Sequence, residues 1–155
     1  MFLVQDSSTA REARIQQLSV EDPTLSALLA VIHVEWTFRR AIIALGTSPN
    51  VDIRKELKRC HGLDNYKESW KVEVSSKNNR KRLPEVVKNW DGLRRSFSLR
   101  HRLVHGVSGC GHEYAQERTN WALAAAADVR EFCSVHNVDL DSRLPVRRKK
   151  SIAQS

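Results

Sequence analysis

Between Phe97 and His112 the chain reads FSLRHRLVHGVSGCGH, with two arginines, three histidines and a cysteine. Histidine exchanges a proton near neutral pH, and arginine stays charged and presents a planar set of donors to phosphate oxygens. Side chains of these types are the working parts of a phosphodiester-cleaving site. They are equally the ligands of a metal site, or simply the polar end of a helix. The metal alternative rests on His101, His105, Cys110 and His112, in the pattern H-x3-H-x4-C-x-H. The two leading histidines have the spacing of neighbours on one helix face, but Cys110 and His112 match no common zinc module. The expectation is therefore a site without a metal or other cofactor.

The spacing along the preceding helix singles out one residue. Val86, Trp90, Leu93, Phe97, Arg100 and Val104 step by four and three, so Arg100 stands where the periodicity calls for an apolar side chain. A guanidinium there must be paired or must line a wet cleft, because a lone buried charge is costly. A second row, Arg94, His101 and His105, lies one step round the helix. Gly106 is expected to end the helix, leaving His105 on its last turn with its imidazole free to approach Arg100, and Gly109 and Gly111 to keep the next loop close and mobile. Glu35 has two accounts: an ion pair with Arg39 four residues on, or a reach across to fix Arg100. Arg94, Arg95 and Arg102 are candidate phosphate contacts, with a solvated basic face as the plain alternative.

The elements that would carry these residues are helical. Six glycines and four prolines in 155 residues favour long helices over a turn-rich β protein. Residues 8–19 predict a short helix. Asp22 as cap, Pro23 at the first position and Gly46 as stop delimit a long one, with Leu25, Leu28, Ile32, Trp36, Arg39 and Ile43 as its stripe. Asn50 caps a third helix ended by Gly62. Residues 64–75 are ambiguous between helix and strand, and SSKNNRKR is a basic, flexible connection. A helix from Pro84 to about Val104 and an alanine-rich one through Trp121, Val129 and Cys133 complete an all-α, antiparallel bundle of four to six helices. The expected organisation is a segment 1–20 with a short helix, a domain 21–140 and a basic, disordered tail 141–155.

Lys and Arg outnumber Asp and Glu by 26 to 18, a net charge of +8, which favours an anionic partner and above all nucleic acid. No apolar run approaches the roughly 20 residues that span a bilayer. The opening MFLVQDSSTARE does not read as a signal peptide, and three unpaired-looking cysteines fit a reducing compartment. The expectation is a soluble, cytoplasmic protein without a membrane partner.

Arg100 and His105 in RHRLVHG resemble the R-x4-6-H signature of the HEPN superfamily, in which the residue after the arginine is polar, as His101 is. The position of the motif, at the end of the penultimate helix of a basic all-α chain, is similar to the layout of that domain over roughly residues 20–137. Within the superfamily the context most resembles the RiboL-PSP-HEPN-like group. The resemblance implies a metal-independent endoribonuclease that cleaves RNA through its own 2′-OH, as a toxin or phage-defence effector. It implies Arg100 and His105 as catalytic, His101 and Glu35 as supporting residues, and a homodimer in which two motifs face one cleft. An antitoxin or other protein partner would belong to such a system. Some members of the superfamily cleave nothing, so a nucleotide-binding or protein-interaction module is the alternative.

Overall fold

The computed structural model describes residues 6–106 and 109–151. Residues 1–5, part of the expected N-terminal segment, residues 107 and 108 of the glycine-rich loop, and the last four residues of the expected tail lie outside these. Among the described residues every regular element is helical. The order is α1 (Ser8–Glu21), α2 (Pro23–Leu45), α3 (Asn50–Leu57), α4 (Leu63–Trp70), a π-helical stretch (Lys71–Ser75), α5 (Ser76–Asn78), α6 (Leu83–Val86), α7 (Trp90–Val104) and α8 (His112–Val135). Six of these have eight or more residues.

Four long helices make the bundle. Ser26 bonds the Ile15 carbonyl and Arg11 bonds His33, so α1 and α2 run antiparallel. Ser96 reaches Arg118 and Arg102 reaches Tyr114, so α7 and α8 do the same. The pair Glu35–Arg100, with Thr24–Cys110 just beyond the end of α7, sets α2 against α7 in the same sense. At the centre, α2 packs on α8. Ala30 and Ala41 on one side and Ala122, Ala125 and Ala126 on the other are all buried. Small side chains at the contact let two helix axes approach closely. Phe38, Tyr66 and Trp70 are the largest fully buried side chains and join α2 to α4. Burying an aromatic ring of that size contributes about 1.5–3 kcal/mol.

The expected start of α2 is observed: Asp22 accepts from the Leu25 N–H, and Pro23 occupies the first turn. Its stripe is not. Leu25 and Ile32 are 41% and 44% exposed, while Ala27, Ala30, Val31, Val34 and Phe38 face the core. The helix is apolar around most of its circumference, so periodicity alone could not choose the face. Gly46 ends α2 with φ −66°, not in the left-handed region. Its lack of a side chain matters for another reason: a Cβ there would lie 2.6 Å from both the Ile42 carbonyl oxygen and Ile53 Cδ1.

Other differences have local causes. Asn50 does not cap α3; its amide donates to the Pro145 carbonyl and its oxygen accepts from the Arg147 N–H. Residues 64–75 are helical, with the π stretch placing Glu73 where its carboxylate accepts from the Thr47 and Ser48 N–H groups and the Ser48 hydroxyl. The basic connection that follows is tied down: the Lys81 carbonyl accepts from Trp70 and Ser75. The helix expected from Pro84 to Val104 is two. Val87 is extended, the Lys88 N–H bonds Asp128, and Asn89 opens a new helix. Residues 141–151 form no free tail. Arg147 donates to the carbonyls of Ile43, Ala44 and Ser48, closing the end of α2. Residues 8–20 belong to the bundle, since Ser8, Arg11, Ile15 and Ser19 of α1 are buried.

Candidate functional site

The motif region is positioned by α7. Asn89 accepts from the Gly92 N–H at 2.9 Å and starts the helix. Gly92 permits this closeness, because a Cβ there would sit 2.4 Å from Asn89 Nδ2. Ser96 bonds the Gly92 and Arg118 carbonyls and pins α7 to α8. Leu93 and Phe97 fill the main core, and Leu99 packs with Ala27 and Ala115. The stripe then turns outward: the side chain of Arg100 is 28% exposed and Val104 is 59% exposed.

Arg100 is paired. Its Nη2 donates to Glu35 Oε2 at 2.5 Å, and the Glu35 side chain is 15% exposed. The other carboxylate oxygen accepts from the Tyr66 hydroxyl at 3.3 Å, and that hydroxyl in turn accepts from Arg39 Nε at 2.8 Å. Glu35 thus pairs with Arg100 rather than directly with Arg39, which reaches it through a phenol. Burial, reinforced by the charge of Glu35, pushes the Tyr66 phenol well above its ordinary value, so the hydroxyl stays protonated and can donate. Arg39 also lies over the Tyr66 ring, 5.5 Å from its centroid. Arg39, Tyr66, Glu35 and Arg100 form a continuous line of hydrogen bonds from α2 through α4 to α7. Tyr66 was not identifiable as a member, since nothing in the sequence signals a contact 31 residues away.

The two motif histidines lie on the adjoining face. The rings of His101 and His105 are 4.3 Å apart between centroids, tilted by 55°, and both residues are exposed. His105 is the C-terminal cap, its N–H bonded to the His101 carbonyl. Arg100 bonds Glu35 and neither imidazole, so within one chain the structure brings together His101 with His105, and Arg100 with Glu35, as two adjacent pairs. Arg94, Arg95 and Arg102 are exposed along α7. Arg95 pairs with Asp91 one turn back, and Arg102 points to the Tyr114 hydroxyl at 3.5 Å.

The four groups of the zinc alternative do not converge. Cys110 lies 3.9 Å from the Thr24 hydroxyl, and His112 bonds Gln116. Among the described residues no three His, Cys, Asp or Glu side chains meet at one point.

A second polar cluster lies buried under α1, unmarked by any sequence motif. His33, 1% exposed, accepts from Arg11 Nε at Nδ1, and its Nε2 is 3.1 Å from Glu12. With Nδ1 accepting, Nε2 carries the proton and donates to Glu12. Glu12 is also held by both terminal nitrogens of Arg130 on α8. Burial raises the Glu12 carboxyl, but the bonds from His33 and Arg130 outweigh it and hold the group below its ordinary value. Asp141 bonds Ser8 and pairs with Arg11. These contacts fasten α1 to the bundle.

Neither known family models, nor curated proteins, nor solved structures yield a match to this chain. No helix among the described residues is long and apolar enough to cross a membrane.

Proposed function

We propose that this chain is an endoribonuclease of the HEPN kind, cleaving RNA by attack of the substrate's own 2′-OH. The observation that carries the reading is the end of α7: a guanidinium oriented by Glu35 and, on the adjoining face, two exposed imidazoles in ring contact. Arg100 supplies fixed positive charge for the phosphorane oxygens. His105 takes or returns a proton, and His101 orients it. Arg94, Arg95 and Arg102 track the phosphates of the strand.

Acid and base are two tasks, and one chain offers one set, so the active form in this reading is a homodimer with two motifs across one cleft. The exposed Leu25 and Ile32 on α2, and Val104 beyond Arg100, support it: they leave apolar surface on the motif-bearing helices that a second copy would cover. The reading extends to a cytoplasmic toxin or phage-defence effector, with an antitoxin as protein partner and no metal in the reaction. A second reading, a non-catalytic RNA- or nucleotide-binding or protein-interaction module, is favoured by one observation: Arg100 is engaged by Glu35 and not by His105.

The test is incubation with RNA in EDTA. Fragments ending in 2′,3′-cyclic phosphate are expected, with His105→Ala lowering the rate by about 10²–10⁴. Binding without cleavage would favour the module, and EDTA-sensitive cleavage that Cys110→Ser also stops would assign the chemistry to a metal. Expression should arrest growth in a manner relieved by His105→Ala. A monomer at high micromolar concentration would count against the shared cleft.

A further inference from the structure

Away from the α7 motif, α2, α3 and the C-terminal segment enclose a cavity of about 350 Å³ that opens to solvent. Arg39 and Arg40 enter it from α2, and Arg54 and Lys58 from α3. Trp36, Leu57 and Leu144 supply apolar wall, and none of the lining residues is acidic. These cations repel one another, as Arg54 does Arg40; Asp141 and Asp139 offset this at Arg40 from beyond the hollow, and no acid lines the hollow itself. Arg54 and Lys58 are also one helical turn apart, a spacing at which like charges destabilise a helix.

The acids in the neighbourhood are committed elsewhere. Glu35 bonds Arg100 and Tyr66. Asp141 is held by Ser8 and Arg11, Asp139 bonds Ser142 and the Asp141 N–H, and Asp52 pairs with Lys149. Beyond the backbone bond from the Lys58 N–H to the Arg54 carbonyl, the side chains of Arg54 and Lys58 make no ion pair or hydrogen bond with any described residue. Two of the cations are also preset. Arg40 donates to the Leu140 and Ser142 carbonyls at 2.6 and 2.7 Å, and Arg39 is anchored through Nε to Tyr66 with its terminal nitrogens left over. Guanidinium groups fixed in this way offer forked donors that match phosphate oxygens.

We propose that this cavity is a phosphate-binding site for a nucleotide-sized phosphoester, the phosphate lying among Arg39, Arg54 and Lys58 and the remainder against Trp36, Leu57 and Leu144. A volume of about 350 Å³ falls at the small end of the roughly 300–1,000 Å³ range of small-molecule sites. The phosphoester comes either from a free nucleoside phosphate or from the end of an RNA strand, whose chemistry at the anchoring group is the same. The proposal does not depend on whether the chain cleaves RNA.

Calorimetric titration of the full chain separates the outcomes, using inorganic phosphate, AMP and a short oligoribonucleotide with and without a 5′-phosphate. Saturable binding is expected, weakening with added salt. The double variant Arg54→Ala/Lys58→Ala should bind about tenfold more weakly or worse. Lys55→Ala/Lys67→Ala, which removes the same charge from exposed positions outside the cavity, should bind as the parent does. Binding of AMP assigns the site to free nucleotides, and binding of the 5′-phosphorylated strand alone assigns it to RNA ends. Absence of saturable binding by every probe overturns the proposal. So does equal weakening in both double variants, since net charge and not the cavity would then hold the anion.

Discussion

Arg100 on α7 and Glu35 on α2 meet at 2.5 Å with both side chains mostly buried. The contact is thus both a packing element and the orienting feature of the motif. Removing one partner of a buried pair costs about 3–5 kcal/mol, and the partial exposure of these two places the expected loss nearer ~2 kcal/mol. Glu35→Ala should lower the unfolding free energy read from urea titration by that order, whereas Glu35→Gln, which keeps an acceptor for Arg100, should lose less. In the ribonuclease reading Glu35→Gln also slows cleavage, because Arg100 is no longer held in one orientation. Equal stability of Glu35→Ala and the parent would show that the pair does not hold α2 to α7.

Tyr66 links that pair to Arg39. Tyr66→Phe keeps the ring packed edge-on to Phe38 and removes the hydroxyl that bridges Arg39 and Glu35. The expected cost is about 1 kcal/mol, from one lost hydrogen bond and a less satisfied carboxylate. In a chain of this size that lowers the melting temperature by about 2–4 °C. A scanning calorimeter resolves such a shift, and no shift would mean that water replaces the phenol without loss.

How much of this was legible follows the range of each interaction. Asp22, Pro23 and the alanine-rich course of α8 are local signals, and the helices they specify appear where expected. The four-three spacing of Val86, Trp90 and Leu93 ran unbroken across residues 87–89 and hid the break between α6 and α7. There Lys88 turns to Asp128, and Asn89 with Asp91 behind it makes a new helix start. The Glu35–Arg39 spacing was visible on one helix, whereas the pairing with Arg100 spans 65 residues and stood only as an alternative. The face α2 buries was unreadable because apolar residues cover most of its surface.

The C-terminal segment gives a prediction opposite to that of a loose tail. Arg147 donates to the last-turn carbonyls of α2 at Ile43 and Ala44 and to Ser48, acceptors that otherwise lack helical partners. Arg147→Ala should destabilise the chain by about 2 kcal/mol. It should also free the segment after Leu144 for cleavage in limited proteolysis, since the bonds to Asn50 and the exposed Lys149–Asp52 pair would then be what anchors it. Unchanged stability and protection would mean that the segment contributes nothing to the fold.

Thiol chemistry should separate the three cysteines. Cys60 and Cys133 are buried, and burial pushes the Cys133 thiol up to about 12. Cys110 is half-exposed beside Thr24. Thiolate is the reactive form, so native protein should be labelled by iodoacetamide at Cys110 first, as read by mass spectrometry, with the other two reacting on unfolding. Early labelling of Cys133 would show that α8 opens readily.

The acid limb of stability should trace to Glu12 and Glu73. For each, burial raises the carboxyl while hydrogen bonds more than offset it: from His33 and Arg130 to Glu12, and from Ser48 and Thr47 to Glu73. Both groups therefore lie below their ordinary value of 4.5 in the folded chain. The unfolded chain binds their protons first as pH falls, so stability is fully present above about pH 4.5 and declines as pH drops through the folded values. Urea midpoints measured from pH 7 down to pH 3 should fall along this limb. Glu73→Gln cannot take up that proton, so it should be less stable than the parent at pH 7 and lose less on acidification. Glu12→Gln should behave likewise, with the added loss of its ion pair to Arg130. Parallel profiles for parent and both variants would show that other carboxylates govern the acid transition.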